Sequence, residues 1–311
     1  MFRTYTSLPL PLSEGEIERG WKRNPSLILH TGAVYLSHLN TNAQGLAKLQ
    51  VFASHPIEKG RWGRIVAIGG GEIGRPGYPV ETINIDKETI KLTGKKNPKL
   101  LFVGTASGDS EVYRNVIDKY FGERFGCRVS HLVLTKHEYT RKDLENVVLY
   151  SDIIYVGGGS TMRMIKLWKK VGLDIILKKA SRKGIVLSGV SAGANCWFKY
   201  SNSDSLKYEK LKKKDLILLK CLGFVNAVMC PHYDVEKARQ VSLKKQMKSS
   251  KLVAIALGNC VALEIVGNKY RLLTSKKGAV GYKIFWKDGK YFKIKIDKGT
   301  KFKSLASLIK K

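Results

Sequence analysis

The sequence predicts an α/β fold, a three-layer sandwich with a mostly parallel central sheet that ends in β-hairpins. Two observations support this assignment. From Gly63 onward, short apolar and β-branched runs alternate with amphipathic segments, a pattern typical of parallel strands connected by helices that cover both faces of a sheet. After about residue 250, apolar runs follow one another without intervening helices, which favours hairpins at the end of the domain.

The elements are assigned in order along the chain. Strands are predicted at residues 65–68, 100–103, 129–134, 153–156 and 185–187. Helices are predicted at residues 109–121, 141–147, 161–170, 174–182 and 194–200. An apolar run at 224–229 precedes the closing strands, which are predicted at residues 252–257, 261–266, 270–274, 281–286 and 291–296. Residues 1–60 contain four prolines and show no sustained periodicity, so we treat them as an extension without predicted structure, before an α/β domain at 61–311.

The composition restricts the class of protein. Lys and Arg number 56 against 25 Asp and Glu, a formal net charge of +31, but the lysines are scattered and match no nucleic-acid-reading motif. Nucleic acid is therefore not favoured as a partner. Five cysteines without a C-x-x-C pair argue against a disulfide framework or a structural zinc site, and no apolar stretch approaches the length of a membrane span. We expect a cytoplasmic protein with no membrane partner, no metal and no cofactor.

The strongest chemical signal is a G-x-S-x-G motif at residues 189–193, between a predicted strand and a helical segment. In a nucleophile elbow, the two glycines allow a tight strand-to-helix turn that lifts the serine hydroxyl above the sheet edge. A plain glycine-rich turn is the alternative, but it does not require this strand and helix context. Ser191 is therefore the candidate nucleophile.

A serine hydroxyl needs a general base, usually a histidine that a carboxylate orients. His232 is the one histidine downstream of Ser191, and it follows the apolar run 224–229 at a strand end, where catalytic groups of open α/β sheets gather. Three carboxylates are candidates to orient its ring, and spacing alone does not choose among them: Asp204, Asp234 and Glu264.

Backbone N–H groups must also stabilise the oxyanion of the tetrahedral intermediate. The N–H of Ala192, which follows the nucleophile, is one candidate. The glycine run at 157–159 can supply a second, because glycine lets the backbone approach a reacting atom closely. A second glycine run at 69–71 superficially matches a dinucleotide fingerprint, but the supporting helix and acidic residue are not evident, so NAD is not expected.

Together these motifs closely resemble the peptidase E family of aspartyl dipeptidases and the related cyanophycinases. The resemblance runs from about Arg64 to Val266 and rests on AIGGGE at 67–72, TAS at 105–107, VGGGST at 156–161, GVSAGAN at 189–195 and Pro-His at 231–232. It implies a fold similar to class I glutamine amidotransferases, with serine in place of the usual cysteine. It also implies Ser191 as nucleophile, His232 as base and Asp204 as the orienting acid, with Gly158 and Ala192 as oxyanion donors.

The function implied by the resemblance is a serine peptidase that hydrolyses aspartyl bonds in dipeptides or short peptides through an acyl-enzyme. The substrate would be a small acidic peptide, and a homodimer is a candidate assembly. One departure lies close to the site, since Ser160 follows the glycine run where the family usually has Asn. The alternatives are a cyanophycinase-like β-aspartyl hydrolase and a non-catalytic basic protein that binds nucleic acid.

Overall fold

The computed structural model describes residues 63–208 and 215–311. The extension predicted at residues 1–60 lies outside the described residues. In chain order the strands are β1 (Arg64–Ile68), β2 (Lys99–Val103), β3 (Arg128–Leu132), β4 (Ile153–Val156), β5 (Val186–Val190), β6 (Phe198–Ser203), β7 (Ile217–Lys220), β8 (Val225–Cys230), β9 (Ala254–Leu257), β10 (Val261–Val266), β11 (Lys269–Thr274), β12 (Gly281–Lys287), β13 (Lys290–Ile296) and β14 (Lys303–Ser304). The helices are α1 (Ile83–Lys91), α2 (Glu111–Ile117), α3 (Arg141–Leu149), α4 (Thr161–Val171), α5 (Leu173–Arg182), α6 (Ala192–Asn195), α7 (Lys237–Lys248) and α8 (Leu305–Ile309).

The larger sheet has eight strands in the order β14-β11-β10-β1-β5-β4-β2-β3. Five neighbouring strands run parallel to one another: β1, β5, β4, β2 and β3. Beyond β1 the sheet continues through β10, β11 and β14, each of which is antiparallel to the strand before it. Alternate residues of β1 enter two different cores, Ile65 and Ala67 on one face and Val66 and Ile68 on the other. Both faces of this sheet are therefore covered, which confirms the three-layer α/β fold.

A second sheet of six strands was not predicted. Its order is β13-β12-β9-β8-β6-β7, and α7 packs Leu243 and Met247 against one of its faces. The helix predicted at 194–200 is wrong beyond its first turn: α6 ends at Asn195, and Phe198–Ser203 is β6, which pairs in parallel with β8. Aromatic residues at Phe198 and Tyr200 favour a strand, and in so short a segment the pairing with β8 decides the conformation.

Three helices were not predicted from the sequence: α1, α7 and the short α8. Helix α7 is strongly polar, since it carries Lys at several positions around its circumference and buries only three side chains. Helix α1 is a short amphipathic element that buries Ile85 and Asp86. Within the described ranges, no helix combines the length and apolar character needed to cross a bilayer.

One buried carboxyl couples the stability of the fold to pH. Asp86 is fully buried, and its Oδ2 accepts hydrogen bonds from Thr82 Oγ1 at 2.6 Å and from Tyr120 Oη at 2.7 Å. Burial raises the pKa of Asp86 to about 6, despite these two bonds. The folded protein therefore holds this proton in a range where the unfolded chain, with an ordinary Asp pKa of 3.8, has lost it.

We expect the contribution of Asp86 to stability to be complete below its unfolded pKa of 3.8 and to decline as the pH rises to about 6. Asp86→Asn removes the ionisation and should flatten this part of the curve. Urea unfolding of both proteins from pH 4 to pH 7 measures the difference. Equal slopes in the two proteins would contradict the assignment.

Candidate active site

Ser191 lies in a strained turn between β5 and α6. Its backbone has φ 55° and ψ −109°, a conformation that residues with a Cβ rarely adopt and that is typical of a nucleophile elbow. The two flanking glycines have no room for a side chain. A Cβ at Gly189 would lie 2.7 Å from the Val156 carbonyl oxygen, and one at Gly193 would lie 2.0 Å from the same atom. The predicted elbow context is therefore present around Ser191.

The structure brings Ser191 and His232 together. His232 follows β8, and its Nε2 lies 2.9 Å from Ser191 Oγ, while its Nδ1 lies 2.8 Å from Asn259 Oδ1. An amide oxygen can only accept, so Nδ1 carries the proton and donates it to Asn259. Nε2 is then unprotonated and accepts from the serine hydroxyl, which is the tautomer that a general base requires.

Asn259 was not predicted from the sequence. It lies in the turn between β9 and β10, at the same edge of the structure as His232. Carboxylates are the usual partners of a catalytic imidazole, whereas the amide of Asn259 can orient the ring without contributing a negative charge. The signal in the sequence was the Gly258-Asn259 pair, a turn dipeptide placed directly after an apolar strand.

The loop after β1 connects the segments that carry these groups. Three consecutive carbonyl oxygens accept one backbone N–H each: Ile68 from Ser191 at 3.0 Å, Gly69 from His232 at 3.1 Å and Gly70 from Cys260 at 2.8 Å. A Cβ at Gly70 would lie 2.1 Å from Asn259 Oδ1 and 2.4 Å from His232 Nδ1. This glycine run therefore aligns the candidate catalytic groups.

Asp204, the acid implied by the family resemblance, is not brought to His232. It follows β6, and its carboxylate forms ion pairs with Lys207 and with Arg239, whose Nη2 lies 3.3 Å away. Arg239 is almost completely buried and also bonds Glu236 Oε2 at 2.6 Å and the Asn202 carbonyl oxygen at 2.8 Å. Because residues 198–203 form a strand rather than a helix, Asp204 emerges beside α7, where the buried guanidinium needs a counter-charge.

The other two carboxylates also have partners other than His232. Asp234 Oδ1 accepts the backbone N–H of Asn259 at 2.9 Å, so it supports the turn that carries the orienting amide. Glu264 is fully buried on β10, opposite Val66, and its Oε2 accepts from Arg271 Nε at 2.5 Å. Asp234 therefore acts one step away from the imidazole, and Glu264 belongs to a separate ion pair.

We expect Asp204→Asn to reduce stability and to leave kcat close to that of the wild type. Burial alone would raise the pKa of Asp204, but Arg239 and Lys207 hold this pKa below its ordinary value. The carboxylate is therefore ionised in the folded protein at neutral pH. Weakening this partner of a buried arginine should cost about 1–3 kcal/mol in urea unfolding. Asp297→Asn, which breaks an exposed pair with Lys303, is the control and should leave stability close to that of the wild type. A collapse of kcat without loss of stability would restore Asp204 as the orienting acid.

The two predicted oxyanion donors lie beside the nucleophile. A Cβ at Gly158 would be 3.6 Å from Ser191 Cβ, and the Gly158 N–H is hydrogen-bonded to Tyr113 Oη at 3.4 Å. Ala192 is the first residue of α6, so its N–H has no carbonyl partner within the helix. Ser160, where the family usually has Asn, is buried and caps α4 by accepting the Arg163 N–H at 3.3 Å.

Removing the amide of Asn259 should disable the base without removing it. We expect Asn259→Ala to lower kcat about 10²-fold, because the ring loses the partner that fixes its tautomer and orientation. Asn259→Asp should retain activity and move the acidic limb of the kcat/KM profile to higher pH, since a carboxylate stabilises the imidazolium. Steady-state kinetics from pH 5 to pH 9 test both variants. Wild-type activity of Asn259→Ala would show that another group orients the ring.

Comparison with known proteins identifies the family of this chain. Residues 65–273 match the family described as Peptidase family S51. The chain is 34% identical over 227 residues to an uncharacterized peptidase, YgaJ, of Bacillus subtilis (strain 168), an alignment covering 71% of this chain and 91% of that protein.

Solved structures show the same fold at lower identity. A peptidase from an acI-B1 actinobacterium superimposes with a TM-score of 0.59 at 16% identity, over 78% of this chain and 97% of that one. A putative peptidase E protein from Listeria monocytogenes EGD-e superimposes with a TM-score of 0.51 at 18% identity, over 69% of this chain and all of that one. On the extent of the family match and the identity to the Bacillus peptidase, this chain belongs to peptidase family S51.

Proposed function

We propose that this protein is a serine peptidase that cleaves its substrate through an acyl-enzyme, with Ser191 as nucleophile, His232 as general base and Asn259 as the group that orients the base. The observation that carries the proposal is the continuous hydrogen-bond chain from Ser191 Oγ through both ring nitrogens of His232 to Asn259 Oδ1, with distances of 2.9 and 2.8 Å. Membership of a peptidase family supports the reaction class.

Acylation uses each of these groups once. Ser191 Oγ attacks the carbonyl carbon of the scissile peptide bond, and its proton passes to His232 Nε2. The carbonyl oxygen becomes an oxyanion, which the N–H groups of Gly158 and Ala192 stabilise. When the intermediate collapses, the C–N bond breaks and the proton on His232 Nε2 moves to the leaving amine.

Deacylation reverses these roles with water. His232 Nε2 takes a proton from a water molecule, whose oxygen attacks the ester carbonyl of the acyl-enzyme. The same donors stabilise the second oxyanion. Collapse of this intermediate breaks the bond to Ser191 Oγ, which regains its proton from His232, and the carboxylic acid product leaves.

The substrate class that we propose is a dipeptide or short peptide with an aspartyl residue at its N-terminus. The motif resemblance to peptidase E supports this class, and the formal net charge of +31 favours encounter with acidic substrates. A β-aspartyl linkage is the alternative, since the same nucleophile could attack either carbonyl of an aspartyl residue.

Two measurements test the proposal. A fluorophosphonate probe should label the protein, and mass spectrometry of the labelled peptide should place the adduct on Ser191. A panel of Asp-X, Glu-X, Ala-X and β-aspartyl dipeptides should then give the highest kcat/KM for Asp-X. An unlabelled protein would contradict the serine mechanism, whereas labelling with a preference for β-aspartyl dipeptides would keep the mechanism and overturn the proposed substrate.

A further inference from the structure

Tyr113 is held in one position beside the candidate oxyanion donors. It lies in the first turn of α2, where Ser110 Oγ caps the helix by accepting the Tyr113 N–H. Its ring packs against Phe102 with the ring centroids 5.0 Å apart. Its edge faces Gly157, where an added Cβ would lie 2.8 Å from Tyr113 Cε1. Contacts on two sides therefore leave the ring little freedom and direct its hydroxyl to Gly158.

The hydroxyl of Tyr113 retains its proton at neutral pH. Burial raises the pKa of Tyr113 to about 12, so the phenol is neutral across the range in which a histidine base works. The oxygen accepts the N–H of Gly158 at 3.4 Å. Among the described side chains and backbone groups, no acceptor takes the hydroxyl proton in return, so this proton is available to a bound ligand.

A substrate oxyanion at Gly158 would share that N–H with the Tyr113 oxygen. Two oxygens on one N–H lie close together and repel each other unless one of them donates a hydrogen bond to the other. The oxyanion has no proton to donate, and the Tyr113 hydroxyl has one. An O–H···O⁻ bond of this kind is charge-assisted, short and stronger than a bond to the neutral carbonyl of the substrate.

Resting on the proposed serine mechanism, we propose that Tyr113 is a further catalytic residue, whose hydroxyl donates a hydrogen bond to the substrate carbonyl oxygen as it becomes an oxyanion. The proton stays on the tyrosine throughout, and no bond other than the hydrogen bond forms. The bond strengthens as negative charge develops, so it stabilises the transition state more than bound substrate, and its loss should appear in kcat rather than in KM.

Tyr113→Phe tests this role because it keeps the ring and removes only the hydroxyl. With p-nitrophenyl acetate and with the best dipeptide of the panel, we expect kcat to fall about 10²-fold with little change in KM, as for the loss of one oxyanion donor. Tyr120→Phe is the matched control. Tyr120 lies in the segment directly after α2, and its hydroxyl donates a hydrogen bond to Asp86. Its removal should therefore lower the melting temperature and leave kcat unchanged.

A transition-state analogue gives a second readout. A peptide aldehyde forms a tetrahedral adduct with the serine, so Tyr113→Phe should weaken its Ki by the same factor as it lowers kcat/KM. If kcat of Tyr113→Phe equals or exceeds that of the wild type, the hydroxyl serves only as the partner of the Gly158 N–H in the free protein, and the inference is overturned. A rise in KM without a fall in kcat overturns the inference as well. These outcomes are distinct from failure of the serine mechanism, in which the wild-type protein itself is not labelled at Ser191.

Discussion

Ser191→Ala is expected to lower kcat by about 10⁴–10⁶-fold while the protein folds normally, because no other group can form the acyl-enzyme. Alanine keeps the Cβ, so it bears the same cost at φ 55° as serine and leaves the elbow unchanged. The substitution deletes only the hydroxyl that donates a hydrogen bond to His232 Nε2, 2.9 Å away. Turnover of the best dipeptide substrate and the thermal unfolding curve are the two measurements.

Ser188→Ala is the matched control for this variant. Ser188 lies on the same strand, is fully buried, and donates its hydroxyl to the Val66 carbonyl oxygen at 3.2 Å. Its loss should cost about 1 kcal/mol of stability and leave kcat unchanged. The double variant Ser191→Ala with His232→Ala should be no slower than Ser191→Ala alone, since the two groups act as a unit. Substantial turnover by Ser191→Ala would end the serine mechanism.

The proximity of Ser191 and His232 could be predicted from the sequence because each of the two residues is marked by a local signal. The elbow needs glycines directly beside Ser191, and His232 directly follows an apolar strand. Parallel strands end at one edge of a sheet, so two such signals fall near each other without knowledge of the full topology.

The hydrogen-bond partner of His232 Nδ1 could not be predicted in the same way. The contact of Asn259 with His232 spans 27 residues and depends on how β9 returns the chain to the edge of the site. The assignment of Asp204 required a helix after the elbow, whereas the chain forms β6, and the counter-charge that Arg239 needs could be recognised only once α7 was in place. Both differences arise at the second sheet, whose strand order depends on long-range pairing and whose helix is too polar to show a clear apolar stripe.

The glycine run at 69–71 also acquires its meaning only in three dimensions. Its sequence superficially matches a dinucleotide fingerprint, but the carbonyl oxygens of Gly69 and Gly70, with that of the preceding Ile68, instead accept backbone N–H groups from three segments that converge on the site. A side chain at Gly70 would meet the Asn259 and His232 side chains directly. The consequence is that a substitution at Gly70, which contributes no reacting atom of its own, should be among the most damaging.

Gly70→Ala is expected to lower kcat/KM about 10³-fold, since a misplacement of about 1 Å can by itself cost about 10²-fold and here two bonds are affected. The added methyl group would lie 2.1 Å from Asn259 Oδ1 and 2.4 Å from His232 Nδ1, so it forces apart the pair that orients the base. The overpacking should also cost about 1–3 kcal/mol in urea unfolding.

Gly122→Ala separates this effect from the general cost of replacing a glycine. The nearest atom to a Cβ at Gly122 is Val129 Cγ2 at 3.6 Å, an ordinary van der Waals contact, so activity should be preserved. Restoring space offers a stricter test: in Gly70→Ala with Asn259→Ala the methyl group no longer meets an amide, and we expect the double variant to be no slower than Gly70→Ala alone. If Gly70→Ala retains wild-type kcat/KM, the contact between His232 and Asn259 does not control the base, and the orienting role of Asn259 must be abandoned.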